Sequence, residues 1–409
     1  MCGFTVTNRK NFNVEYVDQY TRLRGPDETT ITNVGDVTIV HHLLSLTGKY
    51  QTQPFLDDGL ICVFNGEIYN YREFGDYETD GECLIPLYRE YGRDFTRKLE
   101  GEFCIVIIDT KNNKIDAFRD IFGTKPCYVA VEGNEFAFSS YASSIERLGF
   151  SKWETPSKTK YDFSLIQFKD SYDDWIDAFE RAVKKRLSDK RMFIGLSSGY
   201  DSGAIDCALK NLKASYTALT IGDEHLEGRD SLKIPLPGNP WDIDMSYIDQ
   251  EFEYPIARDI ASYGQTQLFK TAKEKAFKIS ISGHGADEVM WGYKKNYFAS
   301  HNQTLGNHFY GKKQKWFLGK EERISGGHGI ESRYPFLDPE VVQEYLWLTP
   351  QLKNKYFKAP IHEYLTRNNY PFEAGVKRGF GMGIKGQKLE KTLPKDSNEY
   401  KLFDKISGI

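Results

Sequence analysis

The chain has 409 residues, too many for one ordinary core, so we expect two or three domains. Hydrophobic residues make up 40% of the chain and charged residues 27%, as in soluble globular proteins. The net charge of −4 argues against a nucleic-acid or membrane surface, and no apolar run approaches the ~18 residues that span a bilayer.

The N-terminus and the cysteines predict a cytoplasmic protein. The first residues lack the charged and apolar regions of a secretory signal. The six cysteines are scattered without CxxC spacing, which argues against a zinc site or a disulfide framework. Free thiols are typical of a reducing compartment.

Cys2 stands directly after the initiator methionine. Once Met1 is removed, Cys2 carries both a thiol and a free α-amine. An amine with a pKa near ~8 can serve as the general base for a nucleophile on the same residue. Taken alone, however, the residue fits a chance cysteine in a frayed terminus at least as well.

Residues 2–150 form the first predicted domain, which is rich in strands. Apolar and β-branched runs predict strands at 59–64, 103–108, 115–118, 128–131 and 136–139, and helical spacing predicts a helix within 82–91. Residues 151–164 are polar and are interpreted as a linker.

Residues 165–390 form the second predicted domain. Helices are predicted at 172–187 and 204–212, and strands at 192–196, 216–221 and 279–281. Strands that alternate with helices are typical of a parallel α/β sheet. The Gly- and Pro-rich segment 222–240 is interpreted as a loop, and residues 391–409 as a mobile tail.

A short Ser/Gly-rich segment at 196–202 (LSSGYDS) lies between a predicted strand and a predicted helix. A helix N-terminus offers free backbone N–H groups to an anion, and small residues let the backbone close on phosphate oxygens. Asp201 would repel phosphate unless a cation lay between them, which indicates Mg²⁺. The alternative is an ordinary Ser/Gly turn with a helix cap.

A second small-residue turn, 282–288 (SGHGADE), also follows a predicted strand. Two such turns at the carboxyl ends of strands in one sheet would face the same crevice, where open α/β sheets bind ligands. Asp201 and Asp287 could then share one metal ion across the phosphates of ATP. A single acidic turn would more often be a solvated surface feature.

In sequence and order, these motifs resemble those of glutamine-dependent asparagine synthetases, and the resemblance covers most of the chain. Several short motifs occur in the order of that family: residues 1–3 (MCG), 24–27 (RGPD), 65–70 (NGEIYN), 79–82 (TDGE), 119–126 (RDIFGTKP), 197–202, 282–288, 331–338 (ESRYPFLD), Lys358 and 377–380 (KRGF). Each motif is weak alone, but their agreement in order is specific.

The resemblance implies a fold and a set of ligands. Residues 2–150 would be a glutamine amidotransferase of the Ntn-hydrolase type, an α+β sandwich with αββα layers. Residues 165–390 would be an α/β parallel-sheet ATP pyrophosphatase. The implied partners are glutamine, ATP with Mg²⁺, and aspartate or another carboxylate, without nucleic acid or membrane, and ammonia would pass between the sites through an internal tunnel. A homodimer is left open.

In the first domain, the resemblance assigns roles to five residues. Cys2 would attack the side-chain amide of glutamine, and Asn65 with the backbone N–H of Gly66 would stabilise the oxyanion. Glu67 and Asp80 would hold the ammonium group of the substrate. Without the resemblance, the Asn-Gly pair would be read as a hairpin turn and the two acids as solvent-exposed.

Leu43 departs from the family pattern. Family members carry an Arg in an H-x-R-L-S stretch, where it binds the α-carboxylate of glutamine, whereas residues 41–45 here are HHLLS. Loss of such a contact costs several kcal/mol if nothing replaces it. His42, Arg22 or Arg24 are candidates to compensate. Otherwise the glutaminase is weak or the ammonia comes from another donor.

In the second domain, the resemblance implies that ATP lies over the first loop and that Asp201 and Asp287 bind Mg²⁺. Lys358 would neutralise charge that builds on the phosphates, and Lys377 is a weaker candidate for a second phosphate contact. Either lysine could also be an ordinary surface residue. The expected ATP-binding residues are Leu196, Ser197, Ser198, Gly199, Asp201, Ser202, Ser282 and Gly283.

His284 is the second departure. Asparagine synthetases have Glu at this place, and related β-lactam-forming enzymes have Tyr. An imidazole titrates near neutrality, so His284 could act as a general base toward an attacking amine. It could equally recognise a different acid, or be a tolerated substitution beside the metal.

Three functions therefore compete. The leading one is ATP-dependent adenylation of aspartate and its amidation with ammonia from glutamine. The second is an amide ligase of the same fold that acts on another carboxylate or amine, with weak or lost glutaminase activity. The third is an inactive relative with a binding or regulatory role, against which the presence of Cys2, Asp201, Asp287 and Lys358 argues.

Overall fold

In a computed structural model, the chain is described at residues 2–222, 228–235, 260–290 and 312–376. Its first part contains two antiparallel sheets, as predicted. In chain order the strands are β1 (Gly3–Thr7), β2 (Glu28–Val34), β3 (Val37–Leu43), β4 (Phe55–Asp57), β5 (Leu60–Ile68), β6 (Gly101–Asp109), β7 (Lys114–Arg119), β8 (Tyr128–Glu132) and β9 (Glu135–Ser139). One sheet has the order β2-β3-β1-β9-β8, and the other has the order β4-β5-β6-β7.

Short helices accompany these sheets. The α-helices are α1 (Val14–Val17), α2 (Thr21–Arg24), α3 (Leu84–Tyr91) and α4 (Ala142–Arg147), and the 3-10 helices are Tyr71–Glu73, Asp80–Cys83 and Gly92–Arg97. The helix expected within residues 82–91 thus begins as a 3-10 turn and continues as α3.

Alternation along the strands divides the apolar residues between two faces of each sheet. Phe4 and Ile39 of the first sheet pack with Val63 and Val106 of the second, so the two sheets lie face to face. The other face of β5 and β6 packs against α3. The other face of β8 and β9 packs against α1 and α4. These layers confirm the predicted αββα sandwich.

The second part contains a parallel sheet with the order β12-β11-β10-β13-β14 within the described ranges. Its strands are β10 (Met192–Gly195), β11 (Thr217–Ile221), β12 (Leu232–Ile234), β13 (Ile279–Ile281) and β14 (Glu331–Arg333). Each neighbouring pair is parallel. This sheet confirms the predicted α/β class.

Helices surround this sheet. They are α5 (Asp173–Lys185), α6 (Tyr200–Asn211), α7 (Ile260–Glu274), α8 (Ala286–Val289), α9 (Lys312–Gly327), α10 (Pro339–Trp347), α11 (Pro350–Lys353) and α12 (Ala359–Arg367), with a 3-10 helix at Pro335–Leu337. Trp175, Phe179 and Val183 of α5 recur at helical spacing and are buried in the main core. In the described ranges, no helix is long and apolar enough to cross a membrane.

The structure corrects two boundaries. Helix α6 begins at Tyr200 instead of 204, so Asp201 lies in its first turn and not in the preceding loop. The segment 222–240, interpreted as a loop, contains strand β12, which pairs with β11. The three residues of β12 are too short to give a periodic signal. The tail 391–409 lies outside the described residues.

Buried ion pairs join the two parts. Arg24 of α2 pairs with Glu322 of α9 at 3.2 Å, and Lys125 pairs with the same carboxylate at 3.0 Å. Arg186 pairs with Glu102 of β6 at 2.8 Å. All five side chains are almost fully buried. Since an unpaired buried charge is very costly, these contacts fix how the two parts face each other.

Candidate active sites

A small pocket in the first part brings four of the five expected glutaminase residues together, with the fifth adjoining it. Cys2, Gly66, Glu67 and Asp80 line it, and Asn65 directly precedes Gly66. Cys2 begins the chain segment that leads into β1, whereas the other residues lie on β5 and on the turn at Asp80–Cys83. The facing sheets therefore put the thiol opposite the acids.

The thiol of Cys2 is buried and donates a long hydrogen bond to the carbonyl of Leu44, with 3.9 Å between sulfur and oxygen. Burial raises the pKa of Cys2 to about 11. The group is therefore protonated at neutral pH, so attack requires a base that removes the proton.

Asn65 has an uncommitted side chain. It is fully buried, and within the described part of the chain neither its amide nitrogen nor its amide oxygen has a hydrogen-bond partner. Unsatisfied buried polar atoms are rare and cluster at functional sites. The next residue, Gly66, has φ of +133°, and a Cβ there would lie 1.9 Å from the carbonyl oxygen of Glu102. Only glycine fits this place, so the bend beside the thiol depends on it.

Glu67 and Asp80 are buried acids. Glu67 accepts a short hydrogen bond from Thr47 and lies 3.3 Å from Arg333. Burial, reinforced by repulsion from Glu331 and opposed by Arg333, raises the pKa of Glu67 to about 7. Asp80 accepts from the backbone N–H of Ile68 at 2.9 Å, and burial together with the charge of Glu67 raises its pKa well above the usual value. Two acids of this kind favour a cationic ligand.

Leu43 lines the same pocket and is only 5% exposed. The residues expected to compensate for it are committed elsewhere. His42 contacts Asp18 at 3.1 Å and Thr29 at 2.9 Å. Arg24 donates to the carbonyl of Cys2 at 3.1 Å as well as pairing with Glu322. Arg22 is exposed on α2 and does not line the pocket. Of the three candidates to compensate for Leu43, His42 and Arg24 are thus engaged in buried contacts and Arg22 lies outside the pocket lining.

A larger cleft lies at the carboxyl ends of the parallel strands. The two small-residue turns, at 197–202 and 282–288, both border it. A Cβ on Gly283 would lie 3.0 Å from the Cβ of Asp201, so the turns touch through this glycine. The lining residues include Ser197, Gly199, Asp201, Ser202, Ser282, Gly283, His284, Asp287, Lys320 and Glu321.

Hydrogen bonds within the first turn hold it closed. The hydroxyls of Ser197 and Ser202 lie 2.9 Å apart, and Ser202 accepts from the backbone N–H of Ser197 at 3.1 Å. Gly199 is the N-cap of α6, so the free N–H end of that helix faces the cleft. Ser198 is half-buried at the turn. Leu196 packs in the core instead of lining the cleft, and its carbonyl accepts from Thr220 at 2.8 Å.

The sequence did not reveal Arg229. Its guanidinium donates to the carbonyls of Ser197 and Gly199, and to that of Pro371 at 3.0 Å. These hydrogen bonds stabilise the shape of the first turn. No local pattern marks this arginine, because its partners lie about 30 residues before it and more than 100 after it.

Lys358 joins the two acids of the cleft. Its ammonium lies 2.6 Å from a carboxylate oxygen of Asp201 and 2.6 Å from one of Asp287. Burial opposes the charge, but the two carboxylates raise the pKa of Lys358 above its usual value. Burial raises the pKa of Asp201 to about 6, and Lys358 opposes that rise. Lys377 lies outside the described residues.

The donor set fits a magnesium ion bound together with phosphates. Asp201 and Asp287 offer hard carboxylate oxygens, each about a quarter exposed on the cleft side. Mg²⁺ is usually held by one or two carboxylates plus substrate phosphates and water. In the described ranges no group of three or more His, Cys, Asp or Glu forms a complete metal cage, so phosphates would have to supply the remaining ligands.

His284 lies opposite a helix that the sequence did not connect with the site. Its backbone N–H donates to Ser282 at 3.1 Å, and the hydroxyl of Ser282 donates to Glu321 of α9 at 3.1 Å. Within the described residues, the buried Nε2 of His284 has no hydrogen-bond partner. Burial raises the pKa of Glu321. Glu321 and Lys320 thus add one acid and one cation to the cleft.

Comparisons with known proteins match both parts of the chain. Residues 1–170 match the glutamine amidotransferase domain family, and residues 245–318 match the asparagine synthase family. Together these matches and the geometry place the chain in the class of proteins that join a glutamine amidotransferase domain to an asparagine synthase domain.

The relatives agree along most of the chain. The glutamine-hydrolysing asparagine synthetase of Triphysaria versicolor is 26% identical and is matched over 86% of this chain and 71% of its own length. Those of Asparagus officinalis and Arabidopsis thaliana are 26% and 25% identical, each over 86% of this chain and over 70% and 71% of their lengths. The chain is therefore a homologue of glutamine-hydrolysing asparagine synthetases.

A solved structure, the glutamine phosphoribosylpyrophosphate amidotransferase of B. subtilis with ADP and GMP, is 12% identical. It covers 69% of this chain and 81% of its own, with a TM-score of 0.32.

Proposed function

We propose that the protein is a glutamine-dependent ligase that adenylates aspartate and amidates it, releasing AMP and pyrophosphate. In this proposal residues 2–150 hold the glutaminase and residues 165–390 hold the synthetase. Glutamine, ATP and aspartate are the substrates, and the cytoplasm is the place where they and the reduced thiols meet. Neither nucleic acid nor membrane takes part, and a size measurement would distinguish a monomer from a homodimer.

The first reaction uses Cys2 after removal of Met1. The α-amine takes the thiol proton, and the sulfur attacks the amide carbon of glutamine, forming a C–S bond and an oxyanion. The amide nitrogen of Asn65 and the backbone N–H of Gly66 stabilise that oxyanion. The C–N bond breaks, the proton passes to the leaving nitrogen, and ammonia departs. Water then hydrolyses the thioester to glutamate.

The second reaction uses the cleft. A carboxylate oxygen of aspartate attacks the α-phosphorus of ATP, and the bond to pyrophosphate breaks. The closed turn at 197–202 and the N-terminus of α6 hold the phosphates, and Lys358 moves from the two aspartates toward the developing charge. Mg²⁺, held by Asp201 and Asp287, would neutralise phosphate charge. Ammonia then attacks the acyl carbon, AMP leaves, and the nitrogen loses a proton.

The observation that carries the proposal is the contact of Lys358 with both Asp201 and Asp287, at 2.6 Å each. This contact joins two turns that are 86 residues apart in sequence. It places one cation and two acids that could bind a metal beside the N-terminus of α6. That combination suits phosphate transfer chemistry and has no structural need by itself, since a buried ion triad gives little net stability.

Pyrophosphate release and amide formation test the proposal directly. Purified protein is incubated with ATP, Mg²⁺ and aspartate, and with either glutamine or an ammonium salt. Both nitrogen sources should support pyrophosphate release and asparagine formation. Cys2→Ala should abolish the activity with glutamine and retain the activity with ammonium. Absence of pyrophosphate release with aspartate and either nitrogen source would contradict the proposal.

His284 favours a second candidate, an amide ligase that uses another carboxylate. His284 lines the cleft together with Lys320 and Glu321, and within the described residues its buried Nε2 has no hydrogen-bond partner. This trio could bind a different acid in place of aspartate. A panel of carboxylates in the pyrophosphate assay separates the two candidates, because a preferred acid other than aspartate would support the second.

A further inference from the structure

The glutaminase pocket offers two acids for an amine but contains an apolar leucine where a carboxylate should be bound. Glutamine carries both charges at one carbon, so a pocket that binds it needs a cation as well as the two acids. Among the described residues that line the pocket, Lys49 is the one with a cationic side chain.

Lys49 lies at the mouth of the pocket. Its side chain is 65% exposed, whereas Glu67 and Asp80 are almost completely buried. The backbone N–H of Lys49 donates to the carbonyl of Glu78 at 3.1 Å. This bond holds the base of the side chain beside Thr79 and Asp80, the turn that carries one of the acids. The side chain can therefore swing while its Cα stays in place.

The side chain of Lys49 is also available. Its ammonium contacts Glu78 at 3.0 Å, and that carboxylate is 64% exposed. An exposed pair of this kind contributes about 0–1 kcal/mol, so a ligand carboxylate can replace Glu78 at little cost. By contrast, Arg24 and His42 are buried in other contacts. Arg333 is held by Glu331 at 2.7 Å as well as by Glu67.

From these contacts we infer that Lys49 binds the α-carboxylate of glutamine and determines the preference of the pocket for α-amino acids over amines that lack the carboxylate. The ammonium group of the ligand lies against Glu67 and Asp80, the carboxylate turns outward to Lys49, and the side-chain amide reaches Cys2. Lys49 is a binding residue and takes no part in the chemistry. The inference rests on the proposed glutaminase function.

Lys49→Gln tests the inference, because it removes the charge and keeps most of the length. We expect KM for glutamine to rise about 10- to 100-fold, as for loss of a charged hydrogen bond, while kcat stays within about twofold. Lys111→Gln is the matched control, since Lys111 forms a similar exposed pair with Asp58 in the same domain. Activity with ammonium salt should be unchanged in both variants.

The analogue 4-aminobutanamide lacks the α-carboxylate of glutamine. It therefore distinguishes loss of the carboxylate contact from general damage to the pocket. Lys49→Gln should hydrolyse it with the same kcat/KM as the parent. Leu43→Arg in the Lys49→Gln background should lower KM for glutamine again. Equal KM values for Lys49→Gln and Lys111→Gln, or an equal loss with the analogue, would overturn the inference.

Calorimetry on Cys2→Ala distinguishes failure of this inference from failure of the proposed function. In one outcome the parent does not hydrolyse glutamine, but Cys2→Ala binds it and the added Lys49→Gln change weakens that binding. The inference about Lys49 is then supported and the proposed glutaminase reaction is refuted. If the parent hydrolyses glutamine and Lys49→Gln binds it normally, the inference alone is refuted. If the parent does not hydrolyse glutamine and Cys2→Ala does not bind it, both are refuted.

Discussion

The guanidinium of Arg333, at the end of β14, lies 3.3 Å from the carboxylate of Glu67 in the glutaminase pocket. The neighbouring strand β13 leads into the turn at 282–288 that borders the cleft. One side chain of the second part therefore contacts an acid that lines the pocket of the first part. Glu67 is therefore connected through Arg333 to the sheet that carries the cleft.

Replacing Arg333 should damage both the pocket and the fold. Arg333→Met leaves Glu67 and Glu331 without their shared cation, and breaking a buried pair costs about 3–5 kcal/mol. We expect a lower thermal midpoint and, in protein that remains folded, a raised KM for glutamine. Arg181→Met, which removes an exposed pair with Glu340, is the control. Unchanged stability and KM in Arg333→Met would show that the contact has no role.

Glutamine binding should weaken in acid. The pKa of Glu67 is about 7, so the carboxylate that receives the ammonium group becomes protonated below neutrality. Affinity should then fall by up to about tenfold for each pH unit below 7 and level off above it. Calorimetry with Cys2→Ala between pH 5.5 and 8 measures this without turnover. Glu67→Gln should give a shallower profile, because Asp80 remains as a second acid with a raised pKa, and a flat profile in its parent would refute the assignment.

Asn65→Ala should lower activity without lowering stability. Removal of one oxyanion donor costs about 10²–10³ in kcat. Since neither amide atom of Asn65 has a partner among the described residues, the variant loses no hydrogen bond, and its thermal midpoint should stay equal or rise. Glutamine hydrolysis and thermal unfolding, both measured on one preparation, distinguish a catalytic from a structural role of Asn65. A large drop in stability would assign Asn65 a structural role instead.

Lys358→Met should abolish adenylation and destabilise the free protein. Asp201 and Asp287 would then face each other without a cation, and the pKa of Asp201 would rise further above about 6. We expect pyrophosphate release to fall at least about 100-fold. Millimolar Mg²⁺ should restore part of the lost thermal stability, since it can neutralise the two acids. Lys355→Met, on a neighbouring exposed lysine, should change neither quantity.

Arg229→Met should affect ATP binding through the turn that it clamps. Without the guanidinium, the carbonyls of Ser197 and Gly199 lose their shared donor and the turn loosens. We expect KM for ATP to rise about tenfold with a smaller change in kcat, as expected for a positioning residue. Arg229→Lys should recover part of the loss. An unchanged KM for ATP in Arg229→Met would mean that the turn holds its shape unaided.

Local patterns predicted much of the fold. The apolar runs at 103–108 and 128–131 lie within strands β6 and β8, and the helical spacing after Tyr172 corresponds to α5. Strands β1 to β3 were not predicted. Strand β2 is largely exposed, whereas β1 and most of β3 are buried but interrupt their apolar residues with Thr and His. The three-residue strands β4, β12 and β14 were not predicted either, and each is partly exposed or carries charged residues, whereas the equally short β13 is fully buried and was predicted.

Some residues of the candidate sites could be predicted from local motifs, and others could not. Motifs pointed to Cys2, Asp201 and Lys358 because each lies in a recognisable local segment. Arg229 and Arg333 act across long sequence separations, so only tertiary contacts reveal them. Arg24, a candidate to replace the missing arginine, is engaged with Glu322, which is 298 residues away, and no local pattern reveals that contact. Sequence shows which groups are present but not which of them are already engaged.

The buried ion pairs between the two parts limit how the chain can be dissected. Arg24 pairs with a carboxylate of the other half, and Lys125 and Arg186 each pair with one carboxylate of the other half as well as one of their own, Glu102 and Asp338 respectively. A separately expressed half would expose these charges to water beside freshly uncovered apolar surface. Chimeras that exchange one half between relatives must therefore keep the matching carboxylates. Otherwise the hybrid will contain buried charges without a partner between its halves.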